Sequence, residues 1–238
     1  MDLKETDILG QGISNHWYYR SKARAMTELL GPVNGKTILD IGAGSGFFSK
    51  YLLYESRAKE AWCVDISYEK DFDEMADGNP IHFRKSVDSV KAEVVLLMDV
   101  LEHVDDDVAL LKDYAAKVPK GAFFLISVPA FNFLWSGHDV FLEHKRRYTL
   151  NEIEKVTERA GLTLKSGAYY FGAVFPLAAS IRMMGKLFGD KRQPPRSQLK
   201  MHHPLINGSL AALSRAEAGI MKHNRLAGLT AFCLAQYV

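Results

Sequence analysis

The sequence has few features of a secreted or membrane-spanning protein. Its 238 residues include two cysteines, Cys63 and Cys233, and both lie in apolar runs, which indicates buried, reduced thiols. The first residues, MDLKETDILGQG, are polar and do not resemble a secretion signal. The longest uncharged apolar stretch, 168–181, contains Pro176 and is shorter than the ~20 residues that cross a bilayer. We therefore expect a cytoplasmic protein that can lie on a membrane surface but not span it.

The sequence also lacks a strong charge imbalance, internal repeats and low-complexity segments. Lysine and arginine number 30 against 28 acidic residues, and this small excess argues against a nucleic-acid partner. With 47% hydrophobic and 24% charged residues, the composition is that of an ordinary globular protein. A chain of this length buries one sizeable core, so we expect a single domain over 1–238. The oligomeric state is not predictable from these features.

Short apolar runs alternate with helical patterns through much of the chain. The runs are KTILDIG, AWCVDIS, IHFRKS, EVVLLMDV and AFFLISVPA. Apolar strands that alternate with helices are typical of a parallel sheet covered on both faces. TLKSGAYYFGAVFP and LTAFCLAQYV are predicted as two later strands that form a hairpin around a helical insertion. We predict a helical cover over 1–32, a core over 36–175 and an insertion over 176–226 that covers the substrate.

A glycine-rich turn follows the first predicted strand. LDIGAGSG places Gly42, Gly44 and Gly46 where the chain must turn sharply and a ligand can approach the main chain closely. A dinucleotide fingerprint would need glycine at position 47, which is Phe47, and this argues against a nicotinamide cofactor. Asp65 follows at the end of the second strand, where a carboxylate is suited to bind the hydroxyls of a ribose.

These motifs resemble the class I S-adenosylmethionine-dependent methyltransferases. ILDIGAGSGFFS, CVDIS, VLLMDVLEHV and FFLISVPA occur in the order and spacing of that family. The resemblance implies a doubly wound, Rossmann-like α/β sheet of seven strands whose last strand is antiparallel, with S-adenosylmethionine as cofactor. The implied cofactor-binding residues are Asp40, Gly42, Gly44, Gly46, Asp65, Ile66, Asp88, Asp99 and Arg20. For Asp88, an exposed turn is an equal alternative. For the HWYYR segment around Arg20, the equal alternative is a helix start that packs on the core.

The segment MDVLEHVDDD follows the fourth predicted strand. Its last three residues, 105–107, are suited to cap the next helix. Asp99, Glu102 and His103 lie at the carboxyl edge of the sheet, where doubly wound folds bind ligands. Ubiquinone-pathway O-methyltransferases and small-RNA 3′-end 2′-O-methyltransferases carry Glu-x-x-Glu-His here and hold a divalent ion. This chain has Asp99 in place of the first Glu. The resemblance implies a Mg or Mn site formed by Asp99, Glu102, His103 and His144. The alternative is that Glu102 and His103 form hydrogen bonds at the helix entry and contact the cofactor.

A second polar patch, SGHDVFLEHKRRYT, lies between the fifth strand and the next helix. Asp139 and the two histidines of this patch are predicted bases or metal ligands, because an alcohol acceptor must lose a proton. Arg146 and Arg147 are predicted to bind an acidic group of the acceptor. A surface turn is the alternative. The predicted catalytic residues are His138, His144 and His103.

The predicted insertion combines an apolar stretch, AVFPLAASI, with basic residues over 176–200. The basic residues are Arg182, Lys186, Lys191, Arg192, Arg196 and Lys200, against a single acid, Asp190. This pattern predicts a cationic, amphipathic cover at a membrane surface, with a solvated helix pair as the alternative. We predict O-methylation of a small-molecule, lipid-linked or sugar-linked acceptor. The alternatives are a non-catalytic S-adenosylmethionine sensor or scaffold, and a metal-dependent RNA 2′-O-methyltransferase.

Overall fold

The computed structural model describes residues 10–188, 197 and 203–238. An eight-stranded sheet in the order β3-β4-β2-β1-β5-β6-β8-β7 forms its centre. The strands are β1 Thr37–Ile41, β2 Glu60–Val64, β3 Phe72–Ala76, β4 Asn79–Arg84, β5 Val94–Met98, β6 Phe123–Pro129, β7 Leu162–Tyr170 and β8 Thr230–Tyr237. The five central strands from β4 to β6 run parallel, which confirms the predicted doubly wound sheet.

Helices cover both faces of this sheet. They are α1 Trp17–Leu30, α2 Phe47–Glu55, α3 Asp107–Ala116, α4 Gly137–Phe141, α5 Leu150–Arg159, α6 Phe175–Phe188 and α7 Pro204–Ala218. One apolar core joins the sheet to α1 and α2, and the other joins it to α3 and α5. Among the described residues, no helix combines the length and apolar character needed to cross a membrane.

The eighth strand corrects the prediction of seven. β3 pairs antiparallel with β4 at the edge of the sheet. Asp77 and Gly78 join the two strands with φ angles of 51° and 77°, the positive values that a tight two-residue hairpin turn needs. The sequence FDEMA does not read as a strand because its side chains are polar or exposed at an edge rather than buried on alternate sides.

The last two strands confirm the helical insertion but correct its start. β8 pairs antiparallel with both β6 and β7, and α6 and α7 lie between β7 and β8 in the chain. β7 ends at Tyr170, whereas the predicted strand continued to Pro176; Phe171 has a φ of 63° and turns the chain before α6 begins. The predicted basic residues at 191, 192, 196 and 200, and the acid at 190, lie outside the described residues.

Candidate active site

The glycine-rich turn joins β1 to α2 and is fixed against the end of β2. Gly42, Gly44 and Gly46 have φ angles of 64°, 54° and 70°, which glycine adopts without steric cost. The Gly42 amide donates a hydrogen bond to the Val64 carbonyl at 2.7 Å. The Gly44 amide donates to Asp65 Oδ2 at 3.0 Å. The predicted cofactor loop and the predicted ribose-binding acid are therefore brought together.

The other residues predicted to contact the nucleoside are less clearly arranged around one ligand position. Asp65 Oδ1 accepts from the Ser67 amide at 3.0 Å and from the Ser67 hydroxyl, so its carboxylate also orders the turn after β2. Ile66 is 90% exposed beside it, and Asp88 is exposed in the loop after β4. An apolar side chain this exposed is free to contact a ligand ring.

Asp40 lies buried beneath the glycine turn. The Ser49 hydroxyl donates to Asp40 Oδ2 at 2.8 Å, which ties the end of β1 to the first turn of α2. Burial raises the pKa of Asp40 to about 6, although the bond from Ser49 opposes this rise. Asp40 thus helps to hold the glycine-rich turn in place from its buried side.

A buried ion pair occupies the carboxyl end of β5. Lys22 of α1 is fully buried and donates to Asp99 Oδ2, while the Ser127 hydroxyl donates to Asp99 Oδ1 at 3.3 Å. Burial alone would raise the pKa of Asp99, but Lys22 outweighs it and holds the pKa below its usual value. Asp99 has a φ of 57°, an uncommon backbone conformation that often marks functional sites. No sequence motif indicated Lys22.

Arg20, the predicted cofactor contact on the same helix, is not part of this group. Its side chain is exposed and lines a cavity that reaches Ser45 and Phe47 of the glycine turn. Asp65 and Asp99 do not line this cavity.

Glu102, His103 and His144 form the cluster that the sequence indicated. Their candidate ligand atoms lie within 4.8 Å of one another. Glu102 is fully buried, and within the described chain neither carboxylate oxygen has a hydrogen-bond partner. Burial, reinforced by Asp99, raises the pKa of Glu102 well above its usual value, and burial and His144 lower the pKa of His103 to about 4. Asp99, predicted as a further ligand, stands apart because it pairs with Lys22.

Asp139 orients His144 from the outer side of the cluster. Its buried carboxylate lies 3.0 Å from His144 Nδ1, and Arg147 Nε donates to the same oxygen at 2.6 Å. The Ser136 amide donates to the other oxygen at 2.8 Å. Burial alone would raise the pKa of Asp139, but the bonds from His144 and Arg147 outweigh it and hold the pKa well below its usual value.

The remaining predicted residues surround the cluster. His138 is half-buried, and burial followed by the charge of Arg182 lowers its pKa to about 4. Arg146 donates to the Val104 carbonyl at 3.0 Å, and Arg147 is buried against Asp139. Arg147 is therefore engaged by Asp139, whereas the Arg146 side chain is 34% exposed, and acceptor binding by the two arginines stays a prediction.

Comparison with known proteins identifies the family. A sequence model described as a methyltransferase domain matches residues 14–166, more than half of the chain. The chain belongs to the class I S-adenosylmethionine-dependent methyltransferases. Over 111 residues it is 27% identical to the ubiquinone biosynthesis O-methyltransferase of Nitrosomonas europaea, which covers 42% of the chain. The match spans 46% of that relative, so less than half of its length is represented.

Solved structures of methyltransferases share the fold of this family member. A methyltransferase complexed with the Trm112 activator of Haloferax volcanii superposes with a TM-score of 0.55 at 16% identity, covering 92% of this chain and 90% of that chain. The phosphoethanolamine N-methyltransferase 2 of Haemonchus contortus, in complex with S-adenosyl-L-methionine, gives 0.54 at 15% identity, covering 90% and 52%. At these identities the likeness shows the fold alone.

Proposed function

We propose that the chain is an enzyme that transfers a methyl group from S-adenosylmethionine to a hydroxyl oxygen of its acceptor. The observation that carries this proposal is the cluster of Glu102, His103 and His144 beside Asp99 at the carboxyl end of β5. The cofactor, when bound, supplies a methyl group on a positively charged sulfur. An alcohol acceptor must lose its proton as it attacks that methyl group, so a base or a cation is needed beside it. This cluster has the chemistry for either role.

The histidines are suited to proton removal or cation binding at neutral pH. A pKa of about 4 keeps the His103 imidazole neutral, so a ring nitrogen retains its lone pair. Asp139 engages Nδ1 of His144 and leaves Nε2 for the cluster. A carboxylate behind an imidazole fixes the tautomer and the orientation of the ring. We assign Asp139 a positioning role.

A divalent cation is part of the same proposal. Among the described residues the buried Glu102 carboxylate has no hydrogen-bond partner, and a buried charge of this kind is stable when it coordinates a metal. Two imidazoles and one carboxylate favour Mn²⁺ over Mg²⁺, because magnesium prefers oxygen ligands. Glu102, His103 and His144 would hold the ion, which would lower the pKa of an acceptor hydroxyl.

An acceptor with an apolar chain fits the surface beside the cluster. Arg182 and Lys186 of α6 donate to the carbonyls of Leu134 and Phe133 at 3.1 and 2.8 Å, so α6 lies against the loop that carries the histidines. The spacing of its outward apolar side chains places them on one helix face. They are Leu177, Ile181 and Met184. We therefore propose a lipid-linked acceptor that approaches from a membrane surface.

The test uses methyl-labelled S-adenosylmethionine and a cell extract split into lipid, small-molecule and RNA fractions. We expect label in the lipid fraction and its loss with a chelator. Glu102→Gln and His144→Ala should abolish labelling, whereas His223→Ala, which removes an exposed histidine elsewhere, should not. Label in the RNA fraction would contradict a lipid-linked acceptor and indicate a nucleic-acid acceptor instead. Cofactor binding without label in any fraction would favour the sensor or scaffold.

A further inference from the structure

Helix α1 carries cationic side chains on two opposite faces. Lys22 points into the protein, where it pairs with Asp99. Arg20 and Arg24 are four residues apart, so at ~100° per residue they lie about 40° from each other and about 160° from Lys22. The arginine face therefore turns away from Asp99 and from the methyl-transfer site beside it.

The arginine face lines a cavity of about 1010 Å³. Helix α7 adds Arg215 to its wall, and α2 adds aromatic side chains, among them Tyr51 and Tyr54. Such a volume holds a ligand as large as a typical small-molecule cofactor. None of the cluster residues Glu102, His103 and His144 lines it, so the cavity does not include the residues of the proposed methyl-transfer site.

Tyr170 brings the arginines of the two helices together. Its hydroxyl donates to the Ser214 carbonyl of α7 at 2.8 Å, and Ser21 of α1 lies close enough to oppose the rise in the pKa of Tyr170 that burial causes. Ser21 is next to Arg20 in the chain and Ser214 is next to Arg215, so one buried side chain fixes both helices beside the cavity. The cationic wall is therefore built by the fold.

The charges in this wall are unbalanced. Within residues 10–188 and 203–238, the guanidinium groups of Arg20, Arg24 and Arg215 form no ion pair, whereas Lys50 in the same wall pairs with Glu74 at 3.2 Å. The other acidic residues of the lining are Glu55 and Asp77. Among the lining residues that the structure describes, three cations thus face two acids.

Two further groups point to a polar ligand. The Ser45 hydroxyl is buried in the lining and, among the described residues, has no hydrogen-bond partner. Tyr51 lies within the charge cluster: burial and Glu55 raise its pKa, and Arg24 and Arg20 oppose that rise. A buried hydroxyl without a partner is uncommon and is satisfied by a ligand or water.

We infer that this cavity is a second binding site, for a phosphate-bearing ligand whose apolar or aromatic part contacts Tyr51 and Tyr54. Arg20, Arg24 and Arg215 would bind the phosphate, because the planar guanidinium fork matches phosphate oxygens in paired hydrogen bonds. The same chemistry is offered by a free phosphate ester or diphosphate and by the headgroup of an anionic phospholipid.

The test measures binding by the full chain and needs no enzymatic activity, so its failure is separate from failure of the proposed function. Pyrophosphate is titrated by calorimetry into the wild type, Arg24→Gln/Arg215→Gln and the matched control Arg159→Gln, an exposed arginine on α5. We expect saturable binding that weakens about tenfold or more in the double variant and is unchanged in the control.

Binding to vesicles tests whether the phosphate group belongs to a lipid or to a free ligand. Competition by S-adenosylhomocysteine, the product of the cofactor, tests whether the cavity is the cofactor site. Binding to phosphatidylglycerol vesicles but not to phosphatidylcholine, lost in the double variant, would support a lipid headgroup; binding of pyrophosphate without vesicles would support a free ligand. Equal affinity in wild type and double variant for both probes, or competition by S-adenosylhomocysteine, would overturn the inference.

Discussion

Lys22 and Asp99 form a buried ion pair that joins α1 to the carboxyl end of β5 across 77 residues of sequence. The pair closes one side of the candidate active site and holds the covering helix against the sheet. Because Lys22 is fully buried, removing Asp99 would leave its charge without compensation, whereas the Asp99 side chain is 26% exposed and contacts water.

Replacing Lys22 with Met should destabilise the protein by about 1 to 3 kcal/mol, since the Asp99 carboxylate would lose its partner but is 26% exposed and retains contact with water. Urea unfolding measures the change. The double variant Lys22→Met/Asp99→Asn should recover much of the loss, and Lys112→Met, at an exposed position, should have little effect. A double variant no more stable than Lys22→Met would contradict the role assigned to the pair.

Replacing Asp40 with Asn should stabilise the cofactor-free protein at neutral pH. Burial raises the pKa of Asp40 from 3.8 to about 6, so the folded state holds this proton more tightly than the unfolded state does. Stability should therefore fall as pH rises through this window, and the variant should avoid a cost of about 2 to 3 kcal/mol. Unfolding at about pH 5 and pH 7.5 should show the larger gain at the higher pH. Asp88→Asn, at an exposed position, is the control and should show no such trend.

Gly46 and Gly35 provide a matched pair at the same backbone conformation. Their φ angles are 70° and 68°, so alanine costs about 1 kcal/mol of backbone strain at either site. At Gly46 the added carbon would lie 3.1 Å from the Phe83 ring and 3.3 Å from Cys63 Sγ, whereas at Gly35 nothing lies within 4 Å. Gly46→Ala should therefore cost about 1 to 3 kcal/mol more than Gly35→Ala. Equal midpoints of thermal unfolding would refute this packing argument.

Manganese should stabilise the protein against heat, and the effect should increase with pH. The raised pKa of Glu102 means that an arriving cation must displace a proton, so the affinity for manganese rises with pH. Differential scanning calorimetry should show the upward shift in the wild type and in Glu158→Gln, an exposed control, but not in Glu102→Gln. A shift that persists in Glu102→Gln would place the ion elsewhere.

Local patterns predicted the parts of the fold and site that depend on neighbouring residues. Apolar runs and the glycine spacing indicated β1, β2 and the turn at Gly42, and α5 begins with a capping box between Thr149 and Glu152, which likewise involves only neighbouring residues. The edge strand β3 was not predicted, because it buries little apolar surface. Its Asp-Gly turn was the one available signal.

Long-range pairings were beyond sequence reasoning. Nothing in RSKARAM distinguishes Lys22 from Arg20 or Arg24, since all three fit a helical pattern and only the position of Asp99 selects one of them. In the same way, the sequence indicated Asp139 as a base or metal ligand, with a surface turn as the alternative. Its buried role depends on Arg147, which the fold brings against it.

The position of β8 determines when the sheet can be completed during synthesis. β6 and β7 are made first, yet they do not pair with each other, because β8 lies between them. A ribosome that has not yet passed residues 230–237 therefore carries a chain with two unpaired strand edges, which attract other chains. Until β8 emerges and enters the gap, both edges stay open to pairing with other strands.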